Sequence, residues 1–171
     1  MMEADRLISF NELSARDAER ALLECCSAPS WAEQMAAGRP YGAARDAIRQ
    51  SSAIVAGLTV ADLAEGLAGH PRIGERQAPA APDADWSGRE QSGVDADDAA
   101  TKRALAEANV AYEQRFGHIY LVFASGRTGK ELLALLRERL QNEPEDEWQV
   151  VRTELQKINA LRLERLLAGS P

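Results

Sequence analysis

The sequence predicts an all-α fold: a single-domain helical bundle of about seven or eight helices over residues 1–171, with one buried extended segment near 119–124. Three observations predict it. Alanine, leucine, glutamate and arginine are plentiful while aromatic residues make up only 5%, a mix that favours helices over sheets. Apolar residues recur at steps of three and four through most of the chain. Only one run, Ile119-Tyr120-Leu121-Val122-Phe123-Ala124, suits a strand by length and β-branching, and nothing else in the sequence offers a strand for it to pair with. The chain is long enough for one domain with a substantial core, since about 150 residues bury roughly 70% of their unfolded surface.

The elements follow in order. Ser14 with Asp17 three residues on reads as a helix start, and Ala18, Ala21, Leu22 and Cys25 supply the apolar side. Ser30 with Glu33 opens a second, shorter helix carrying Trp31 and Met35, which stops near Gly38-Arg39-Pro40. A third runs from about Tyr41 towards Val55, with Gly57 at its end. Thr59 with Asp62 begins the fourth, whose Leu63 and Leu67 lead at steps of four and three to His70.

Residues 75–89 change character. Ala78-Pro79-Ala80-Ala81-Pro82-Asp83 is too long for a simple connection, so 76–84 is expected to be a mobile loop and 86–93 to be ordered. A long helix follows from about Asp95 to Arg115, with Ala104, Leu105, Ala108 and Tyr112 at helical spacing, and Phe116-Gly117 ends it. The run 119–124 then reads as an extended segment whose backbone groups must find partners other than a ladder, a ligand included. Ser125-Gly126-Arg127-Thr128-Gly129 is turn chemistry, and Thr128 with Glu131 caps a helix from Leu132 to Leu140. Pro144 suits the first turn of a final long helix that ends before Gly169.

Bulk properties narrow the function. A net charge of −7 argues against a nucleic-acid surface, which needs a basic face. Two adjacent cysteines, Cys25 and Cys26, cannot make a disulfide framework and suggest a reducing compartment. The N-terminal residues lack the basic region and apolar stretch of a signal peptide, and no apolar run approaches the ~20 residues that span a bilayer. The expectation is a cytoplasmic protein with no membrane partner. The arginines and glutamates of the last helices are compatible with a homodimer and do not require one.

Three places carry chemistry. His70, one of two histidines, sits in Gly69-His70-Pro71-Arg72-Ile73-Gly74. Pro71 cannot continue a helix and biases the residue before it away from helical dihedrals. The imidazole, the side-chain type whose unperturbed pKa lies nearest neutrality, is therefore expected at a helix end, facing the interior; a buried core histidine is the alternative. In the final helix the stripe Val151, Leu155, Ile158, Arg162, Leu166 puts an arginine where an apolar residue belongs. A buried guanidinium must meet an anion, a protein carboxylate or a ligand, unless its stem runs to the surface. Glu90-Gln91, flanked by Ser87, Gly88 and Gly93, sits where the backbone can turn tightly. An exposed loop Glu is usually just solvated, whereas one held near a histidine can orient the imidazole or activate a hydroxyl.

Other motifs carry less. No Cys or His stands at ligand spacing from His70 or His118, so no metal site is expected. Gly126-Arg127-Thr128-Gly129-Lys130 lacks the spacing of a phosphate-binding loop. His118, at the mouth of the extended segment, reads as exposed, with a place near the site as the alternative.

In combination these residues place the sequence near a known family. Phe10-Asn11, His70-Pro71-Arg72-Ile73-Gly74, Ser87-Gly88-Arg89-Glu90-Gln91, Tyr112-Glu113-Gln114-Arg115-Phe116-Gly117, Leu136-Arg137-Glu138-Arg139-Leu140-Gln141-Asn142 and Lys157-Ile158-Asn159-Ala160-Leu161-Arg162-Leu163 occur in one order. Together they make the chain resemble the 2-oxo-4-hydroxy-4-carboxy-5-ureidoimidazoline (OHCU) decarboxylases of urate breakdown, over nearly its whole length. The resemblance implies an all-helical enzyme, a carboxy-lyase without cofactor, that converts the small molecule OHCU to (S)-allantoin. It implies His70 as the catalytic histidine and Arg162 as the pocket arginine. Pro71 is implied to contact substrate through its backbone, and Ser87, Glu90 and Gln91 to hydrogen-bond the ureido and ring groups. The chemistry of the substrate adds Glu90 and Arg162 to His70 as expected catalytic residues. Backbone atoms of Tyr120, Leu121, Val122, Phe123 and Ala124 are implied to line the pocket. His118-Ile119 and the 76–84 loop depart from the usual pattern. The rival readings are a non-catalytic ureide-binding module and a hydrolase of a ureide ring with Glu90 as base.

Overall fold

Side-chain caps from Ser14, Thr59, Asp98 and Thr128 set four of the helix starts. The computed structural model describes residues 2–75, 88–95 and 98–169. Among these residues every regular element is a helix. They fall into two compact units, Met1–Gly69 with Leu155–Pro171, and His70–Glu154.

In the first unit, α1 (Met2–Glu12) has no counterpart among the predicted elements, and it buries Phe10. Helix α2 (Ala15–Cys25) starts where the sequence placed it: Ser14 accepts from the Asp17 N–H at 3.1 Å, and Ala18, Leu22 and Cys25 are buried. Helix α3 (Pro29–Ala37) begins one residue before Ser30, with Ala28 as N-cap and proline in the first turn, where a missing N–H costs nothing. Its Trp31 is fully buried and donates to Ser51 Oγ of α4 at 3.0 Å. Helix α4 (Ala44–Gly57) starts three residues after Tyr41. Tyr41 is engaged elsewhere: its N–H donates to Asn11 Oδ1 at 3.0 Å and its hydroxyl to the Met35 carbonyl at 2.7 Å. Helix α5 (Val60–Ala68) opens on a full Thr59–Asp62 capping box, as the sequence indicates. It stops two residues before His70, so the histidine does not close the helix as predicted; Gly69 is the C-cap and Pro71 holds the next residue out of it.

The second unit contains α6 (Ser92–Asp95), α7 (Ala99–Phe116) and α8 (Gly129–Arg139). Helix α7 starts later than predicted because Asp98 is its cap, accepting from the Thr101 N–H at 2.7 Å. Gly117, at φ 76°, ends it in the left-handed conformation that glycine adopts without strain. The 119–124 run is non-helical and mostly buried, as predicted. Tyr120, Val122 and Ala124, alternate residues, all enter one core with Ile73, Val94, Leu105, Tyr112, Leu132 and Leu136. A period of two is the signature of an extended chain.

Helix α9 (Pro144–Ala168) contributes its residues up to Glu154 to the second unit and the rest to the first. Its fully buried row runs Glu147, Val151, Leu155, Asn159, Leu163, Leu167. Steps of four overshoot a 3.6-residue turn, so the buried row drifts around the helix and the predicted stripe end, Leu166, is only half-buried.

Candidate active site

His70 lies in a short non-helical stretch that helix α7 holds. The Asn109 side chain donates to the Ile73 carbonyl at 2.9 Å. Arg72 makes a two-point ion pair with Glu113, one arm of it Nη2 to Oε2 at 2.9 Å, and also reaches Glu75 at 3.3 Å. Gly74, at φ 89°, donates its N–H to Gln91 Oε1 at 2.9 Å. The imidazole is half-buried with its Nε2 shielded from solvent, and Pro71 beside it is half-buried too.

Glu90 is 7% exposed, so it is not the solvated loop carboxylate that its sequence context made the safer reading. It ends a helical turn over 88–90. Gly93 fixes how that stretch sits: a Cβ there would come 2.1 Å from the Arg127 carbonyl oxygen, so only glycine allows the approach to the 125–129 turn. Gln91 commits its side-chain oxygen to Gly74 and thereby ties the Glu90 stretch to the His70 stretch. Ser87 and the 76–84 loop, and the part of the 86–93 prediction before Gly88, lie outside the described residues.

The extended segment finds its partners in buried side chains. Arg139 donates from Nη1 to the Leu121 carbonyl at 2.6 Å, and the Phe123 N–H donates to Glu154 Oε2 at 2.7 Å. Arg139 is 7% exposed and pairs with the fully buried Glu147, Nε to Oε1 at 2.7 Å. Burial is the largest single influence and opposes its charge, but the hydrogen bond to Glu147 and the surrounding negative charge together exceed it, so its pKa is raised. The Tyr112 hydroxyl also donates to Glu147, and Asn142 does so at 2.8 Å. Desolvation drives the Tyr112 and Tyr120 pKa values well up, keeping both phenols neutral.

None of Arg139, Glu147, Glu154, Asn109 or Glu113 was singled out from the sequence. A signal existed for two. Arg139 continues the α8 apolar series Leu132, Leu136 at a step of three, and Glu147 lies four residues before Val151 on the very stripe that flagged Arg162.

His118 is half-buried rather than exposed. Gly117 turns the chain back sharply, and the imidazole packs 4.2 Å from the Trp148 ring and edge-on to Tyr112 at 5.5 Å. Burial lowers its pKa below the ordinary 6.5.

Arg162 belongs to the first unit and is 1% exposed, as its place on the stripe implied. One of its partners is neither an anion nor a ligand. Nη1 donates to the Cys25 carbonyl at 2.9 Å, the last residue of α2, where a helix leaves unsatisfied, partly negative carbonyls. Cys26 beside it has its pKa raised by burial, and neither cysteine forms a disulfide. Among the described residues, no group of three or more His, Cys, Asp or Glu is placed to hold a metal ion, and no helix is long and apolar enough to cross a membrane.

A model of the OHCU decarboxylase family matches residues 11–164. The chain belongs to the OHCU decarboxylase family. Within and around this family, it is 35% identical over 149 residues to a uric acid degradation bifunctional protein of Arabidopsis thaliana, covering 84% of this chain and 45% of that one. It therefore spans less than half the length of that relative. It is 30% identical over 132 residues to the 2-oxo-4-hydroxy-4-carboxy-5-ureidoimidazoline decarboxylase of Amia calva, covering 76% and 75% of the two chains. A crystal structure of an OHCU decarboxylase in the presence of (S)-allantoin matches with a TM-score of 0.74 at 34% identity, over 85% of this chain and 95% of that one. The all-helical fold of the described residues is thus similar to that of an OHCU decarboxylase structure.

Proposed function

We propose that this chain is a carboxy-lyase that converts OHCU to (S)-allantoin without a cofactor. The observation that carries this reading is the match, along most of the chain, to the OHCU decarboxylase structure solved with (S)-allantoin.

The chemistry asks little of the protein beyond placement. When the C–COO⁻ bond breaks, its electron pair forms a double bond to the adjacent ring carbon, and the ring C=N accepts the displaced pair at nitrogen, which takes a proton. The resulting enol hydroxyl gives up its proton as the carbonyl forms, while the ureido-bearing carbon gains one. The ring itself is the electron sink. Three tasks remain: to hold the carboxylate out of the ring plane, to stabilise charge that develops on the ring, and to deliver the last proton to one face.

His70, with its shielded Nε2, is suited to proton transfer or to polarising the substrate hydroxyl, and the buried Glu90 to orienting or assisting it. Arg162 is assigned the carboxylate or a neighbouring carbonyl oxygen. Pro71, Ser87, Gln91 and the backbone of Tyr120 to Ala124 are assigned the ureido and ring groups. Two buried cysteines outside any disulfide suit a reducing, cytoplasmic setting.

The test generates OHCU in place by coupling urate oxidation and hydrolysis to this protein, then follows allantoin by circular dichroism. Expected is a single-handed product faster than the spontaneous racemate, with His70→Ala and Glu90→Ala each lowering kcat/KM by about 10²–10⁴-fold. Release of CO₂ without water incorporation separates decarboxylation from ring hydrolysis. A rate and chirality equal to the spontaneous reaction would sink the reading.

A further inference from the structure

The 120–124 segment lies between two helices that each send a charged side chain to its backbone. In an extended chain the N–H and C=O of one residue point to the same edge and those of the next residue to the opposite edge. Leu121 and Phe123 therefore share an edge, and that edge is occupied: Arg139 of α8 takes the Leu121 carbonyl at 2.6 Å and Glu154 of α9 the Phe123 N–H at 2.7 Å. Tyr120, Val122 and Ala124 share the other edge. There the Ala124 carbonyl accepts from the Arg127 N–H at 3.0 Å, which closes the following turn. The backbone N–H and C=O of Val122 make no hydrogen bond among the described residues.

The grips are built to stay put. Glu147, fully buried, neutralises Arg139, and Tyr112 and Asn142 hold Glu147 in turn. The Arg139 guanidinium also stacks 4.8 Å from the centre of the Tyr120 ring, so one residue fixes both a backbone group and a neighbouring side chain of the segment. Glu154 is itself 7% exposed, a carboxylate placed where its hydrogen bond to a backbone N–H is strong and shielded from water.

We infer that Arg139 and Glu154 are positioning residues for substrate: by holding alternate backbone groups on one edge, they set the register that presents the donor and acceptor of Val122 on the other. An N–H beside a C=O complements the C=O and N–H that a ureide presents together. This rests on the proposed function, in which the segment lines the substrate site. Neither side chain needs to touch the reacting atoms; each acts through the peptide it holds. A one-residue slip would turn the Val122 groups away and bring those of Leu121 or Phe123 round in their place.

Glu154 is the residue to test, since removing Arg139 strands a buried Glu147. Glu154→Gln keeps an oxygen that can accept from Phe123, whereas Glu154→Leu keeps the bulk and loses the acceptor. Full-length variants are compared by melting temperature, by hydrogen–deuterium exchange over 120–124, and by steady-state turnover of OHCU made in place. The expected result for Glu154→Leu is a folded protein whose Phe123 amide exchanges about tenfold faster. Its KM rises about tenfold or more with a smaller change in kcat, and its product loses handedness. Glu154→Gln should restore exchange and KM to near the wild-type values. Unchanged exchange in Glu154→Leu overturns the inference. So does faster exchange with wild-type kinetics, or a Glu154→Gln protein as impaired as Glu154→Leu. A wild-type chain that turns over no OHCU sinks the proposed function instead, and exchange then still decides whether Glu154 holds the segment.

Discussion

Two non-helical stretches in the second unit, His70 to Glu75 and Ile119 to Ala124, solve the same problem with different means. Neither has a strand to pair with among the described residues, so each borrows side chains from the helices around it to satisfy its backbone. The His70 stretch is held by neutral amides, Asn109 and Gln91, and by the Arg72–Glu113 pair, whose arginine is 43% exposed. The 119–124 stretch is held by ionised groups out of water, Arg139 with Glu147, and Glu154. The same donor and acceptor types thus carry very different weight. An exposed ion pair is screened and contributes little, while a buried pair that loses one member leaves an uncompensated charge.

The contrast can be broken at its strongest point first. Arg139→Met removes the guanidinium and leaves Glu147 buried without its cation. Urea denaturation should show a loss of about 3–5 kcal/mol, or no cooperative transition at all. A loss below 1 kcal/mol, on the order expected of an exposed pair, would erase the distinction.

His118 sharpens it through pH. Its ring lies against Tyr112, Phe116 and Trp148 at the start of the extended stretch. Burial lowers its pKa, with a smaller push from Arg139, against the opposing pull of its contact with the Ile119 carbonyl and of Glu147. In the window below 6.5 the unfolded chain therefore binds more protons at this site than the folded one. Its contribution is full above that value and is lost as pH falls from there through the lower folded pKa. Melting curves between about pH 7 and pH 5 should fall less steeply for His118→Phe than for the wild type; parallel curves would contradict the burial argument.

The smallest effect is expected at Arg72. Arg72→Ala should move the melting temperature by no more than about 2 °C, and less again in high salt. A larger, salt-insensitive drop would mean that the His70 stretch depends on this pair as the other stretch depends on Arg139.

The helices were legible because their signals are local. Ser14 with Asp17, Thr59 with Asp62 and Thr128 with Glu131 are caps written within four residues, and Gly117 and Gly169 terminate helices by their own conformational freedom. Burial of Arg162 and the non-helical character of 119–124 were legible for the same reason: each breaks a local pattern. The sequence by itself determined the fold class, the family and the order of the candidate site residues.

Only the tertiary structure decided what holds them. Asn109 lies 36 residues from Ile73, and Glu154 lies 31 residues from Phe123. No periodicity connects such pairs. A polar residue on a buried helix face announces that it needs a partner, but which backbone group it meets is set by how the helices pack, and that information is in no single stretch of chain.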